Sequence, residues 1–345
     1  MPEPDAVQND DVKSCPNTIT VVLCTYNRCQ SLSKALRSVA ASELPSSIVW
    51  EVLVVDNNSN DQTHEVVEDF SCRHPGRFRY LFEPKPGKSH ALNAGIREAH
   101  GDILAFIDDD VIVERNWLRN LTAALDGNAW AGAGGRILPE KTFSHPPWLP
   151  LDGPNNMAGI LALFDLGAEP VELDQAPFGT NMAFRKEMFE KHGGFRVDLG
   201  PRPGSELRNE DTEFGRRLLT AGERLRYEPS AVVYHGVPEY RLTREYFLRF
   251  CFDLGRAAIR ETGKRPDIWG IPRQFLTLLK ITTLLLGRTV RWMWSCWSPQ
   301  LRFYRKAMAW GTVGQIVEVW CQSRGGERQT ENAIQTERKE INPRR

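Results

Sequence analysis

Three consecutive aspartates follow an apolar, β-branched run of the sequence. The run is Ile103 to Ile107, and Asp108, Asp109 and Asp110 come directly after it. Carboxylates two residues apart can hold a hard divalent cation that bridges two phosphates, and an acid at a strand end can accept hydrogen bonds from uracil or ribose. The alternative is a solvated turn or helix start, but adjacent like charges lower stability without a counter-ion. We therefore predict a metal site with Asp108 and Asp110 as ligands.

Other polar side chains occupy comparable positions. Asp56 ends the run Trp50 to Val55, where it can contact a base or ribose or simply cap the following turn. Lys88 follows a Pro-Gly pair at a predicted helix start, where backbone N–H groups favour anions. For Lys88 and for Arg28, after the first strand, an exposed surface position is the alternative. The pattern indicates a site for a diphosphate.

An acidic pair and a histidine complete the candidates. Glu210 and Asp211 open a predicted helix whose apolar side would be Phe214 and Leu218. Acids at a helix N-terminus are stabilising for electrostatic reasons alone, and this explains one of them without a function. His235 directly follows the last predicted strand, where a lone histidine can also be structural. Both interpretations stay open for these residues.

Strands and helices that position these residues alternate through the first 240 residues. The predicted strands are Ile19–Cys24, Trp50–Val55, Phe78–Phe82, Ile103–Ile107, Asn181–Phe184 and Ala231–Tyr234. Helices are predicted after a possible cap at Ser31, from Asp61 to Phe70 and from about Ser89 to Ala99, whereas residues 138–178 hold many prolines and form a long loop region. This alternation predicts a largely parallel sheet whose strand ends converge on one crevice.

The ordered set of motifs resembles the nucleotide-sugar-binding domain of family 2 glycosyltransferases. The matching segments, spread over about residues 18–240, are Thr25-Tyr26-Asn27-Arg28, Val54-Val55-Asp56-Asn57-Asn58-Ser59, Gly87-Lys88, Asn93-Ala94-Gly95, Asp108-Asp109-Asp110, Phe178-Gly179-Thr180-Asn181 and Glu210-Asp211. The resemblance implies an α/β fold with a single nucleotide-sugar-binding domain of GT-A type and a mostly parallel central sheet. It also implies Mn²⁺ or Mg²⁺ as cofactor, and sugar transfer with inversion at the anomeric carbon.

The same resemblance implies roles for individual residues. Asp211 is carried over as the general base, and Glu210 as its neighbour or as an acceptor contact. His235 matches the place where some related enzymes supply a third metal ligand, beside Asp108 and Asp110. The expected donor-binding residues are Thr25, Asn27, Arg28, Asp56, Lys88, Asp109 and Gly179. Among these, Asp109 would hold the ribose, and Gly179 would let the backbone approach the sugar.

The resemblance also narrows the reaction. The segment after Asp211 lacks the Gln-x-x-Arg-Trp motif of the family's processive synthases, so we expect single additions. We expect a nucleotide-sugar donor, with a UDP-sugar favoured, and a hydroxyl of a glycan or lipid-linked acceptor. One alternative is a sugar-nucleotide nucleotidyltransferase, which would need a Gly-rich loop where Thr25–Arg28 stands. The other is a non-catalytic glycan- or nucleotide-binding protein of the same fold.

The zero net charge of the 345 residues hides an uneven distribution. Residues 1–240 carry 24 Lys+Arg against 35 Asp+Glu, whereas residues 241–345 carry 20 against 9. Residues 268–317 hold seven Lys/Arg and no acid, and six of the ten tryptophans lie between positions 269 and 320. Residues 273–297 predict a basic amphipathic helix too short in apolar sequence to span a bilayer. Its expected polar side holds Arg273, Thr277, Lys280, Arg288, Arg291 and Ser295.

These features predict four parts of the chain. They are a flexible N-terminal tail (1–17), the glycosyltransferase domain (18–240), a helical, Trp/Arg-rich membrane-surface region (241–323) and a disordered tail (324–345). We expect peripheral association with an anionic membrane surface on its cytoplasmic face, since residues 1–17 do not read as a signal peptide. Nucleic acid is not an expected partner, because arginines interleaved with tryptophans fit lipid better. The seven scattered cysteines indicate neither disulfides nor structural zinc.

Overall fold

The computed structural model describes residues 18–127, 129–202, 207–262, 273–295 and 297–341. Its first part is the predicted alternation of strands and helices. The strands are β1 (Thr18–Thr25), β2 (Val49–Asp56), β3 (Phe78–Phe82) and β4 (Ile103–Asp108), and the helices are α1 (Cys29–Ala40), α2 (Thr63–Arg73) and α3 (Lys88–Glu98). β1 pairs in parallel with β2 and β4, and β2 with β3. Hence the carboxyl ends of all four strands lie at one sheet edge.

The start of α1 differs from the prediction of a cap at Ser31, which lies inside the helix. The helix begins at Cys29 because the N–H of Cys29 donates to Asp61 Oδ2 at 2.9 Å. The other oxygen of Asp61 accepts the N–H of Thr63, the first residue of α2, at 3.1 Å. One aspartate therefore satisfies an otherwise unpaired donor at the start of both helices.

The second part of the chain completes the sheet. Its elements are β5 (Val111–Val113), α4 (Trp117–Ala123), β6 (Gly132–Pro139), β7 (Val171–Leu173), β8 (Asn181–Arg185), α5 (Lys186–His192), α6 (Glu210–Thr220) and β9 (Leu225–His235). Within the described residues the strand order is β3-β2-β1-β4-β8-β6-β9-β5, with β7 also paired to β9. Six strands run one way and β5, β7 and β8 run against them, which confirms the mostly parallel sheet.

Strands β5, β6 and β7 were not predicted, and β9 is longer than the predicted Ala231–Tyr234. β6 escapes sequence patterns because glycines occupy three of its first four positions. A Cβ on Gly135 would collide with the carbonyl of Ala231 in β9 and with the amide of Asn181 in β8. The glycines thus allow three strands to approach closely, and β9 gains pairing partners over Leu225–Glu228 as well as near its end.

Three C-terminal helices follow the sheet: α7 (Arg244–Thr262), α8 (Arg273–Met293) and α9 (Pro299–Ile341). α9 packs against both α7 and α8. A Cβ on Gly255 of α7 would collide with the backbone of Gly311 in α9, and one on Gly314 would collide with the backbone of Phe252. α7 and α9 therefore touch backbone to backbone at their crossing.

Two further contacts hold the helical region in place. Glu318 of α9 is buried and accepts hydrogen bonds from Arg256 Nε at 3.0 Å and Arg260 Nε at 2.6 Å of α7. A separate hydrophobic cluster joins residues of the 138–178 loop region to α7 and α9; its buried members are Leu149, Met157, Leu161, Phe247, Cys251, Phe303 and Ala307. The helical region is thus packed against the loop that borders the strand ends.

The structure bears on the predicted C-terminal tail but not on the predicted N-terminal tail. Residues 1–17, expected to be a flexible tail, lie outside the described residues. α9 runs to Ile341 and so continues into residues 324–345, where the sequence predicts disorder. Many of those residues are Gln, Glu, Lys, Arg and Ala, which favour helix without an apolar pattern.

No helix in the described parts of the chain combines the length and apolar character needed to cross a membrane.

Candidate functional site

The polar residues singled out in the sequence gather at one edge of the sheet. β1, β2, β4 and β9 end there with Thr25, Asp56, Asp108 and His235. β8 runs in the opposite direction, so the residues before its first residue, Asn181, reach the same edge. Antiparallel pairing of Val111 with His235 then sets the aspartates next to the end of β9. The topology therefore assembles a single crevice.

The loop after β1 is tied to the aspartate triplet. Thr25 Oγ1 donates to Asp109 Oδ2 at 2.7 Å, and Arg28 Nη1 lies 3.1 Å from both Asp109 Oδ1 and Asp110 Oδ2. Burial raises the pKa of Asp109 to about 6, although Arg28 acts to lower it. Asp109 was predicted to hold the ribose. Here its two oxygens contact Thr25 and Arg28, and so they link the end of β4 to the end of β1.

The loop after β2 is packed on the loop after β1. Asn27 has a left-handed backbone (φ 52°) and donates its N–H to Ser59 Oγ at 2.9 Å. Asp56 is buried and accepts the N–H of Ser59 and the hydroxyl of Tyr80, each at 2.8 Å. Asp56 thus caps the turn that follows β2, as one of the two interpretations predicted. Its contact with a base or ribose stays a prediction.

Lys88 bridges the acids of two elements. Its Nζ lies 2.5 Å from Asp108 Oδ1 and 3.7 Å from Glu210 Oε1. Burial acts to lower the pKa of Lys88, but the charges of Asp108 and Glu210 hold it above its ordinary value. The pKa of Asp108 falls to about 2, because the attraction of Lys88 and a 3.0 Å hydrogen bond from Thr180 Oγ1 outweigh its burial. This ion pair remains charged across the physiological pH range.

The acidic pair at the start of α6 is held by an unusual backbone. Asn209 precedes it with φ 97°, a strained conformation for a residue other than glycine. Asp211 Oδ2 accepts the N–H of Gly179 at 2.7 Å, and its Oδ1 accepts that of Thr212 at 2.6 Å. Asp211 is partly exposed, whereas Glu210 is buried, and burial raises the pKa of Glu210 to about 7 despite Lys88. Asp211 is therefore the carboxylate of the pair that a substrate can reach.

His235 and Asp110 converge on one cationic side chain. Arg241 lies with Nη1 3.2 Å from His235 Nε2 and with Nη2 3.8 Å from Asp110 Oδ2. A guanidinium can only donate, so a hydrogen bond from Arg241 assigns the lone pair to Nε2 and makes the imidazole neutral. Burial lowers the pKa of His235, against the influence of Asp110, which agrees with a neutral ring. The nitrogen that faces Asp110 is thus in its ligating form.

Two of the three predicted metal ligands are arranged as a divalent cation requires, and the third is paired with other side chains. Asp110 Oδ1 and His235 Nε2 are 3.6 Å apart and already face a shared positive charge. Asp108, the third predicted ligand, is instead paired with Lys88 and Thr180. In the described part of the chain, no three His, Cys, Asp or Glu side chains are arranged as a ready metal site. Asp110 and His235 therefore lie side by side, and their role as metal ligands stays a prediction.

Two residues of the site were not singled out from the sequence. Arg241 is buried in a short 3₁₀ helix, Glu239–Leu242, and only its place six residues after His235 could have indicated it. Thr180 lies inside the recognised Phe178–Asn181 segment, but a threonine there carries no distinctive signal. The N–H of Gly179 donates to Asp211, and the expected approach of the Gly179 backbone to the sugar stays a prediction.

Comparisons with known sequences agree on one family. The family model described as "Glycosyl transferase family 2" matches residues 20–193, half of the chain. The succinoglycan biosynthesis protein ExoM of Rhizobium meliloti is 26% identical over 239 residues, covering 69% of this chain and 73% of that protein. The glucosyl-dolichyl phosphate glucuronosyltransferase of Haloferax volcanii is 27% identical over 236 residues, covering 65% and 70%. Glu210, Asp211 and His235 lie beyond the residues matched by the family model.

Solved structures show the same fold. The mannosyltransferase PcManGT of Pyrobaculum calidifontis, in complex with GDP-Man and Mn²⁺, aligns with a TM-score of 0.58 and 19% identity over 89% of this chain and 88% of its own. GalNAc-T7 with UDP, GalNAc and Mn²⁺ aligns with a TM-score of 0.52 and 18% identity over 75% and 52%. The sheet, the crevice and the family match lead to one conclusion: the chain belongs to glycosyl transferase family 2 and is an enzyme that transfers a sugar from a nucleotide sugar.

Proposed function

We propose that this glycosyltransferase is metal-dependent and inverting, and that it adds one sugar to a hydroxyl of a glycan or lipid-linked acceptor. The observation that supports this most directly is the position of Asp211. Its carboxylate is held by the backbone N–H groups of Gly179 and Thr212, and it is partly exposed beside the aspartate cluster. A fixed, accessible carboxylate next to a diphosphate site is what a general base requires.

The donor would bind along the crevice. Thr25, Asn27, Asp56 and Asp109 are the proposed contacts of the nucleoside, and Arg28 and Lys88 those of the diphosphate. Lys88 and Arg28 suit this role because neighbouring carboxylates hold the pKa of each above its ordinary value, so both stay positively charged. A UDP-sugar is the first donor to test. GDP-mannose is the second, since PcManGT was solved with it.

Asp108, Asp110 and His235 are the proposed ligands of Mn²⁺ or Mg²⁺. When bound, the ion would supply positive charge to the diphosphate leaving group. Arg241, which lies beside Asp110 and His235, would add a positive charge near the phosphates. Lys88 would divide its charge between Asp108 and the donor.

The proposed chemical step is a single displacement. The acceptor hydroxyl attacks the anomeric carbon from the face opposite the diphosphate while Asp211 takes its proton. The bond between that carbon and the diphosphate oxygen breaks, and the nucleoside diphosphate leaves. Attack from the opposite face inverts the anomeric configuration. Glu210, neutral below a pH of about 7, lies next to Asp211 and would add little negative charge there.

The acceptor is proposed from two further observations. The 138–178 loop region borders the crevice and packs on the C-terminal helices. The relatives include, by name, a succinoglycan biosynthesis protein and an enzyme acting on a glucosyl-dolichyl phosphate. These observations support a glycan or lipid-linked acceptor, and we propose that the enzyme acts as a peripheral protein at the cytoplasmic face of a membrane. The nucleotidyltransferase alternative has no support in the crevice, because the Thr25–Arg28 loop lacks glycine.

The test is a panel of UDP- and GDP-sugars incubated with the purified chain and Mn²⁺. We expect release of nucleoside diphosphate from one of them, lost on chelation and in Asp110→Ala. Glu190→Ala, an exposed acid on α5, is the control. Product NMR with an acceptor then reports the anomeric configuration. Release that persists in Asp110→Ala with a chelator present would contradict the metal role, and a retained configuration would contradict inversion.

A further inference from the structure

We infer that the outward face of α8 is the surface that docks on an anionic membrane. This deepens the proposed peripheral association by assigning it to particular residues. The outward face carries an apolar stripe, interrupted at the exposed Thr283, that is made of Leu276, Leu279, Leu286, Val290, Met293 and Trp294. Leu286 is 66% exposed and Trp294 is 79% exposed, and Trp297 just beyond the helix is 93% exposed. Apolar patches of this kind on a protein surface usually mark an interaction site.

Most amphipathic helices bury their apolar side in their own domain, but α8 exposes its apolar side and packs its other side against the protein. Ile281 and Ser295 are buried on the inward side. Arg288 also points inward, where Nη1 donates to the carbonyl of Met308 at 2.8 Å and to Thr312 Oγ1 at 2.6 Å of α9. Arg288, expected on the basic polar side of a membrane-surface helix, is therefore a contact between helices. The apolar stripe is left for another partner.

Charge identifies that partner as a lipid surface. Lys280 and Arg291 are exposed beside the stripe, and residues 268–317 contain no acid. Two copies of this face would bring like charges together, whereas anionic headgroups would pair with them. Exposed tryptophans at the end of the helix suit the membrane–water interface, where an indole is partly buried and keeps a polar N–H. An amphipathic helix lying in the interface satisfies all three features.

The experiment measures flotation of the full chain with vesicles of phosphatidylcholine alone and of phosphatidylcholine mixed with phosphatidylglycerol. We expect binding to the anionic vesicles. Leu286→Glu should lower it at least about tenfold, and Arg291→Glu about fivefold. The matched control is Val49→Glu at the start of β2, where the exposed fraction is 67% and binding should not change. A circular dichroism melt verifies that each variant is folded.

Three results would overturn the docking surface: no binding to either vesicle, equal binding by folded Leu286→Glu, or a dimer in solution that Leu286→Glu dissociates. Donor hydrolysis without lipid separates this inference from the proposed function. Leu286→Glu should hydrolyse the donor as the parent does. If vesicle binding follows the expected pattern while no variant or parent uses any donor, the proposed transfer fails and the docking surface stands.

Discussion

Two buried glutamates, one at the crevice and one in the helical region, lie next to cations yet differ in how well they are compensated. Glu210 is 4% exposed and has Lys88 at 3.7 Å, a cation that is closer to Asp108. Glu318 is 2% exposed and accepts a hydrogen bond from an arginine on each oxygen. Among the described residues, Glu210 shares its neighbouring cation with Asp108, whereas each oxygen of Glu318 has an arginine of its own.

The difference separates a structural ion cluster from a functional one. Glu318 links α7 to α9, and full pairing is what a buried charge needs for stability. At the crevice the cations are shared among Asp108, Glu210 and the space that a diphosphate would fill. A site that must accept a charged ligand cannot be fully neutralised in advance. The predictions below test this contrast.

The largest effect is expected at Asp211, the neighbour of Glu210. Asp211→Asn keeps the size of the side chain but loses its proton affinity, so turnover should fall about 10²–10⁴-fold with near-normal affinity for the nucleoside diphosphate. Calorimetry beside a transfer assay measures both. Glu213→Gln, in the same helical turn, is the control. If turnover survives, Glu210 becomes the candidate base; if nucleotide binding disappears, Asp211 has a structural role.

Removal of the paired glutamate should instead cost stability. Glu318→Ala leaves Arg256 and Arg260 without their partner and should lower the free energy of unfolding by about 3 kcal/mol. Donor hydrolysis per folded molecule should be unchanged. Glu245→Ala, an exposed acid on α7, should cost under about 1 kcal/mol. If urea titrations show that both variants lose the same free energy of unfolding, the ion pairs of Glu318 do not stabilise the helical region as proposed.

A smaller loss is expected when the support of Asp211 is disturbed. A Cβ on Gly179 would lie 2.9 Å from Asp211 Oδ2, so Gly179→Ala must move the carboxylate. Turnover should fall by up to about 10²-fold, since small misplacements of a catalytic group have effects of that size. Gly287→Ala on α8, where no atom lies within 4 Å of the added carbon, is the matched control. Unchanged turnover in Gly179→Ala would show that the contact does not position the base.

The smallest effect concerns pH. The pKa of Glu210 rises from 4.5 to about 7 on folding, so the folded state holds a proton that the unfolded state releases. Stability should therefore fall as pH rises through this window. Glu210→Gln removes that contribution, and its melting temperature should gain a few degrees on the parent between pH 5 and pH 8. As the control, Glu190→Gln should show the same dependence of melting temperature on pH as the parent. A constant difference for Glu210→Gln would mean that Lys88 already compensates the charge.

The sequence predicted the parallel half of the sheet and the gathering of Asp56, Asp108 and His235 because strand ends in a parallel sheet share an edge. It did not predict β6, since glycines that allow close strand approach erase the alternation of side chains. Arg241 was missed because its approach to His235 depends on a short 3₁₀ turn.

The orientation of α8 could not be predicted either. A helical wheel separates polar from apolar positions, but the neighbouring helix decides which side faces inward. Arg288 turns inward because α9 offers a carbonyl and a hydroxyl at the right place. Local periodicity thus predicted the helix, and tertiary packing determined its role.

The glycine crossing between α7 and α9 bears on the distance between α8 and the crevice. At the crossing itself, Gly255 lies directly against the backbone of Gly311, with no side chain between them. α7 begins two residues after the 3₁₀ helix that holds Arg241, and α9 also packs against α8. Rigid packing of these three helices would make them a spacer of constant length between α8 and the crevice. With α8 lying on lipid, Asp211 would stand at one height above the headgroups, and only acceptors that present their hydroxyl at that height would be glycosylated.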